Sequence, residues 1–329
     1  MLKCRCCNIF QFYIIIFHFD FSIFNFGMIW LYIAIGSYIL LAVTSLIDKI
    51  LLNGSISNPK LYAFYVGILS SIAFLFLPFG IWTNPGPLLF LTGAAAGMAQ
   101  IYGSYFYLSA LQRFEASRTV PMIGSLVPIF GFFLTVAVSG GQAILGQKEF
   151  AGFFLLIAGG WLIMASGFFI KKSGLALVML ASFLFASSVV LAKLVYLQLP
   201  FINGFLLMAF GSVAAALSFL LSRGVRKIVF GHRSVKKESR PNILFFTGQL
   251  MGGAAFLLQS FAVSLAPQAN VPVINAMAGI QYVALFIFSI ILSLFFPRLL
   301  KEKNDSASIL QKSFAITLIM IGLVIFALN

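Results

Sequence analysis

The sequence predicts an all-α integral membrane protein with ten transmembrane helices, arranged as two inverted five-helix halves. Three observations carry this expectation. Apolar runs of about 20 residues recur along the chain, the length that a helix rising ~1.5 Å per residue needs to cross ~30 Å of hydrocarbon. Basic residues gather on alternate connections between those runs. Features of the first half return in the second, with Lys49 falling on Lys193 at an offset of 144.

The composition excludes the competing classes. Hydrophobic residues make up 61% of the 329 and charged residues 9%, too apolar for a soluble domain with one buried core. A formal charge of +14 would suit nucleic acid, but the basic residues sit between apolar runs and are not interleaved with aromatics on one face. They read as topology determinants and lipid contacts, so no nucleic-acid partner is expected. Cys4, Cys6 and Cys7 are the only cysteines and have no histidine near enough to complete a zinc pattern, so neither a disulfide framework nor a metal site is supported.

In chain order, residues 1–27 stand apart: Phe, Ile, Asn and Cys dominate and Ala is absent. Lys3 and Arg5 before an apolar run resemble a signal segment, but no small-residue cleavage site follows. The preferred expectation is a start at Met28, with an extra helix or an uncleaved signal as alternatives. From Met28 the apolar segments are approximately 29–52, 61–80, 87–111, 117–138, 150–170, 174–197, 200–221, 243–265, 269–296 and 312–328. The first half is expected over residues 28–172 and the second over 173–329, the latter carrying a basic loop at 222–242.

Lys60, Arg113, Arg118, Lys171, Lys172, the basic residues from Arg223 to Arg240, Arg298, Lys301, Lys303 and Lys312 all fall on one set of alternate loops. The other set holds only Lys148. The positive-inside rule makes the basic loops cytoplasmic, which places a multi-pass chain in the cell's inner (plasma) membrane with both ends of the ten-helix unit outward. The repeat is consistent with this. LLAVTSLIDK aligns with LFASSVVLAK, and Ala110 falls on Ala262 at an offset of 152. An odd number of helices per half forces the second half to be inverted, the architecture of alternating-access transporters.

The hairpin at Ser117 to Phe168 is the most distinctive stretch. Pro128 lies inside its first helix, and small residues (Gly152, Ala158, Gly159, Gly160, Gly167) crowd its second. A membrane proline needs neighbours or a cavity to satisfy the backbone it frees, and small residues let helices approach closely. The run YLSALQRFEASRTVPMIGSLVPIFGFFL, the loop GQKE and AGFFLLIAGGWLI together resemble the EamA-like members of the drug/metabolite transporter superfamily. AVSLAPQANVPVINAMAGIQYVALFIFSIIL matches the same pattern more loosely, with Ile280-Gln281 where the family has a proline. The resemblance covers roughly residues 29–328 and implies transport of a small metabolite; cargoes of such proteins include amino acids, nucleotide sugars and drugs. Glu149 resembles the acid of the family's loop motif.

Few residues are equipped for chemistry. With seven acids and two histidines, His18 and His232, no carboxylate pair or Ser-His-Asp set is available, so an enzyme is not expected and no cofactor is implied. Charged residues inside the apolar segments are Asp48, Lys49 and Lys193. Such residues face a bundle interior or water-filled cavity, or snorkel to the headgroups when near a helix end. Asp48, Lys49 and Pro128 are candidates for gating or coupling. Lys193 is a candidate for meeting an anionic substrate group or a carbonyl from another helix. Gln100, Tyr105, Gln249, Asn275 and Gln281 complete the candidate cavity set, with Tyr102, Tyr107, Asn203, Gln259 and Tyr282 as further polar residues that can serve instead in interhelical bonding. Glu149 is expected to cap the fifth helix and favour its dipole. The leading expectation is alternating-access transport of a small molecule through the lipid bilayer, with export of amino acids or related compounds as one form of it; a homodimer is left open. A non-transporting scaffold or sensor and a lipid flippase are the alternatives.

Overall fold

The computed structural model describes residues 29–53, 56, 58–79, 85–113, 116–138, 140, 147–164, 172–230, 243–267, 270, 273–274 and 277–295, with scattered positions between 310 and 325. The expected leader, the loop residues 231–242 and most of the last segment lie outside the described residues. What is described is 94% helical and has no strand. The helices are α1 (Ile29–Asn53), α2 (Pro59–Leu69, continued by a 3₁₀ run Ser70–Phe79), α3 (Gly86–Arg113), α4 (Ala116–Val138), α5 (Gln147–Met164), α6 (Lys172–Tyr196), α7 (Phe201–Ser218), α8 (Ile243–Leu265) and α9 (Ala278–Phe295). A short helix, Arg223–Phe230, follows α7.

Local sequence accounts for several boundaries. Pro59 opens α2, where its missing N–H costs nothing, and the Asn58 side chain accepts from the backbone N–H groups of Lys60 (3.0 Å) and Leu61 (3.4 Å). Gly140, just beyond α4, has φ +61°, a left-handed conformation that suits glycine. Among the described residues of the ninth apolar segment, α9 runs from Ala278 to Phe295.

Among the described residues, five helical stretches are long and apolar enough to cross a membrane: Ile29–Leu52, Pro59–Phe79, Gly174–Tyr196, Phe201–Leu221 and Ile243–Leu265. Leu75, Leu88, Phe133 and Phe154 are all strongly exposed. So much large apolar surface turned outward suits lipid and would be a liability in water.

The core forms where helices exchange small residues. α3 and α7 touch backbone to backbone: a Cβ on Gly97 would stand 1.9 Å from the Met208 carbonyl oxygen, and one on Gly211 would stand 1.9 Å from that of Ala94. The Ser212 hydroxyl donates to the Gly97 carbonyl at 3.3 Å. Lipid supplies little hydrophobic drive between helices, so this close approach contributes through packing. α1 packs along α8 and α9, while α6 packs along α3 and α4. α2 with its 3₁₀ extension lies on α7, and α4 meets α9.

Candidate functional site: a polar seam along the first helix

α1 carries Tyr38, Leu41, Ser45 and Asp48 at spacings of three, four and three residues. On a helix of 3.6 residues per turn these share one face. Hydroxyls elsewhere on α1 are satisfied locally, Ser37 on the Ala34 carbonyl (2.7 Å) and Thr44 on that of Leu40 (3.0 Å). The seam differs in reaching across to other helices.

At one end, the Tyr38 hydroxyl donates to the Ile274 carbonyl (2.7 Å) and accepts from the Gln259 amide of α8 (3.0 Å). Midway, Ser45 donates to the Leu41 carbonyl (2.8 Å) and accepts from the Gln281 amide of α9 (2.9 Å), which also reaches Leu41 at 3.4 Å. At the far end, Tyr62 of α2 donates to Asp48 Oδ1 and accepts from the Gln249 amide of α8 (3.0 Å). The buried Tyr107 hydroxyl of α3 lies beside Ser45 and Asp48. Tyr282 of α9 fills the space over Gly124 of α4, where a Cβ would stand 0.9 Å from its hydroxyl oxygen. Amides and phenols from four helices, α2, α3, α8 and α9, therefore gather along α1.

Asp48 is the charged member of this seam, with 8% of its surface accessible. Among the described residues its Oδ1 is met by Tyr62 and no hydrogen bond reaches its Oδ2. A carboxylate within the bilayer costs ~2.5–3.5 kcal/mol on insertion scales. One hydrogen bond to a charged group contributes only ~1.5–3 kcal/mol. The single Tyr62 bond thus offsets much of that cost.

The two lysines, unlike Asp48, meet backbone carbonyls near helix ends. Lys193, 4% exposed, donates to the carbonyls of Val263 (3.0 Å), Ser264 (3.2 Å) and Ala266 at the C-terminal end of α8. An ammonium has three donors, and these three acceptors occupy all of them. Helix-end carbonyls lack intrahelical partners and carry the negative end of the helix dipole, so Lys193 caps α8. The carbonyl of another helix, one of the two partners expected of Lys193, lies within its reach. Lys49 donates to the Leu111 carbonyl at 2.9 Å, near the end of α3.

Of the expected cavity residues, Gln249 and Gln281 enter the seam. Tyr105 stands elsewhere: its ring packs on Phe106 (5.1 Å) and Phe219 (5.6 Å), with the Lys60 ammonium 5.9 Å from its centroid. Gln100 is half-buried, its carbonyl accepts from Ser104 (2.9 Å), and no hydrogen bond among the described residues joins its side chain to the seam. Asn275 lies outside the described residues. Pro128 falls within α4 and Glu149 in the first turn of α5; their side chains are not among those described. Tyr38, Ser45 and Tyr62 were not anticipated, although the one-face spacing of Tyr38, Ser45 and Asp48 was readable. Among the described residues no three metal-ligating side chains gather.

No family model matches this chain, and neither does any curated protein. Seventeen chains of known structure do. One, described as "Crystal structure of protein", aligns with a TM-score of 0.61 and 16% identity over 92% of this chain and 96% of that one. At that identity the likeness shows the fold alone, a helical architecture shared over nearly the whole length.

Proposed function

We propose that the chain is a multi-pass membrane carrier of the EamA-like type, with ten spans in two inverted halves, moving a small metabolite across the inner membrane by alternating access. The observation that carries this reading is the convergence of polar side chains from both halves on one face of α1. A scaffold has no need of such a seam, which places costly groups within the membrane.

The inverted repeat is supported by contacts that recur at the aligned offsets. Lys49 donates to Leu111 as Lys193 donates to Val263; the lysines align at 144 and the acceptors at 152. Tyr38 donates to Ile274, and Ser182, its counterpart at 144, donates to Ile123 at 3.2 Å, with acceptors 151 apart, one residue off the 152 alignment. Helix pairings agree too: α1 with α8 and α9 answers α6 with α3 and α4. Rocking of one half against the other would open the seam alternately to each side.

The seam also bears on cargo. Lys193 is saturated by carbonyls and the seam's own charge is a carboxylate, so an amine-bearing metabolite suits it better than an anion, amino acids and related amines included. Counterflow tests this. The chain from Met28 is reconstituted in liposomes preloaded with a metabolite extract, and exchanged compounds are identified by mass spectrometry. Exchange of an amine-bearing class, reduced at least tenfold in Asp48→Asn, is the expected result. Exchange of anions untouched by that variant overturns the cargo assignment, and no exchange from a folded preparation overturns the carrier.

A further inference from the structure

The short helix Arg223–Phe230 takes no part in the seam. Its sequence, RGVRKIVF, divides by helical period. Val225 is 1% exposed, and Ile228 and Val229 pack partly buried against the main core. Arg223, Arg226, Lys227 and Phe230 stand on the other side, all exposed. The helix is anchored through its apolar side and holds three cations outward.

Its surroundings extend both properties. Phe219, just before it, packs edge-on against Tyr102 (5.6 Å) and tilted against Tyr105 (5.6 Å). The Lys60 ammonium lies over the Tyr105 ring, and Tyr102 bonds Ser218 at 2.7 Å. A fourth cation, from the start of α2, thus stands at the same end of the bundle. Large apolar side chains flank the cations: Leu221 is 84% exposed and Phe230 65%.

We propose that this end of the molecule binds the headgroups of anionic phospholipids, with Arg223, Arg226, Lys227 and Lys60 on the phosphates and Leu221 and Phe230 among the upper acyl chains. The pairing of cations with exposed apolar residues selects a lipid over a soluble anion, which would leave Leu221 and Phe230 in water. A basic amphipathic helix at the end of a membrane span is the geometry that settles in the interface plane. Arginine suits the task, since its planar fork meets two phosphate oxygens at once. This site does not depend on whether the chain transports anything.

The test uses the full chain, purified in detergent, delipidated, and titrated separately with phosphatidylglycerol and phosphatidylcholine, with bound lipid counted by native mass spectrometry. Wild type should retain phosphatidylglycerol preferentially. The Arg223→Gln/Arg226→Gln/Lys227→Gln variant should weaken that retention by tenfold or more, given about fivefold per cation near an anionic surface. An Arg298→Gln/Lys301→Gln/Lys303→Gln variant, losing the same charge elsewhere, should retain it. Equal retention of both lipids by wild type, or undiminished phosphatidylglycerol in the first variant, overturns the proposal and leaves those cations with topology alone. Binding of soluble glycerol phosphate as tight as that of phosphatidylglycerol overturns the lipid as its source. If the first variant does not fold, high salt on wild type serves instead. The preference must fall as charges are screened, and a salt-independent preference overturns the electrostatic site.

Discussion

α1 and α6 run through comparable surroundings and are built from different chemistry. α1 lies against α8 and α9 with Tyr38, Ser45 and Asp48 bonded to Gln259, Gln281 and, through Tyr62, Gln249. α6 lies against α3 and α4 through Val178, Ala181 and Ala186, packed with Ala110, Ile123 and Val127. Its one cross-helix hydroxyl bond in that face among the described residues is from Ser182 to Ile123. A shared packing scheme therefore does not require shared polarity. Interhelical hydrogen bonds contribute only ~0.6 kcal/mol each on average in membranes, so stability does not demand the α1 seam, and the apolar α6 face holds without one. That difference is why the proposed function centres on α1.

The largest effect should come from forcing the α6 face to resemble the α1 face. Val178→Asp buries a carboxylate in this apolar face, beside the already bonded Ser182 hydroxyl, and should cost ~2.5–3.5 kcal/mol, read as a sharply lower melting temperature in detergent. An unchanged melting point would mean that this face tolerates charge and that the contrast is superficial. Next comes Gly124→Ala, whose Cβ would occupy the Tyr282 hydroxyl position. Overpacking of this kind costs ~1–3 kcal/mol. Tyr282→Phe removes the obstructing oxygen and should restore part of the loss in a double-mutant cycle; full additivity would place the two residues apart.

Lys193→Met should destabilise by ~1–3 kcal/mol, because three carbonyls at the end of α8 lose their donor. Its effect on exchange should follow from stability, with unchanged apparent affinity in whatever protein folds; altered affinity would return Lys193 to the binding residues. The smallest and most discriminating pair is Gln281→Leu and Ser182→Ala. Gln281→Leu removes two interhelical bonds and Ser182→Ala one, so the shifts should be ~1.2 and ~0.6 kcal/mol or less. Only Gln281→Leu should depress exchange, and equal depression by both would erase the distinction between the two faces.

Much of this was legible in the residues. Apart from the start of α9, apolar runs of spanning length anticipate the described helices to within a few residues, because hydrocarbon thickness and helical rise leave little choice. The rarity of intramembrane charge was enough to single out Asp48, Lys49 and Lys193. Gln281 was a candidate on depth within its segment and Gln249 a member of the wider polar set, and both joined the seam. Depth alone also nominated Tyr105, which faces Phe219 instead.

Helical period settles which residues of one helix share a face, and bilayer thickness settles how long that helix must be; both are local and can be read from a single segment. The partners of Tyr38, Ser45 and Tyr62 lie 221, 236 and 187 residues away. Which amide meets which hydroxyl depends on the rotation and depth of each helix against its neighbours. Those are set by close approaches such as Gly97 on Met208 and Gly124 beneath Tyr282, where one methyl group decides the fit. A sequence marks the polar residues and the small ones; only their packing brings them to a common face.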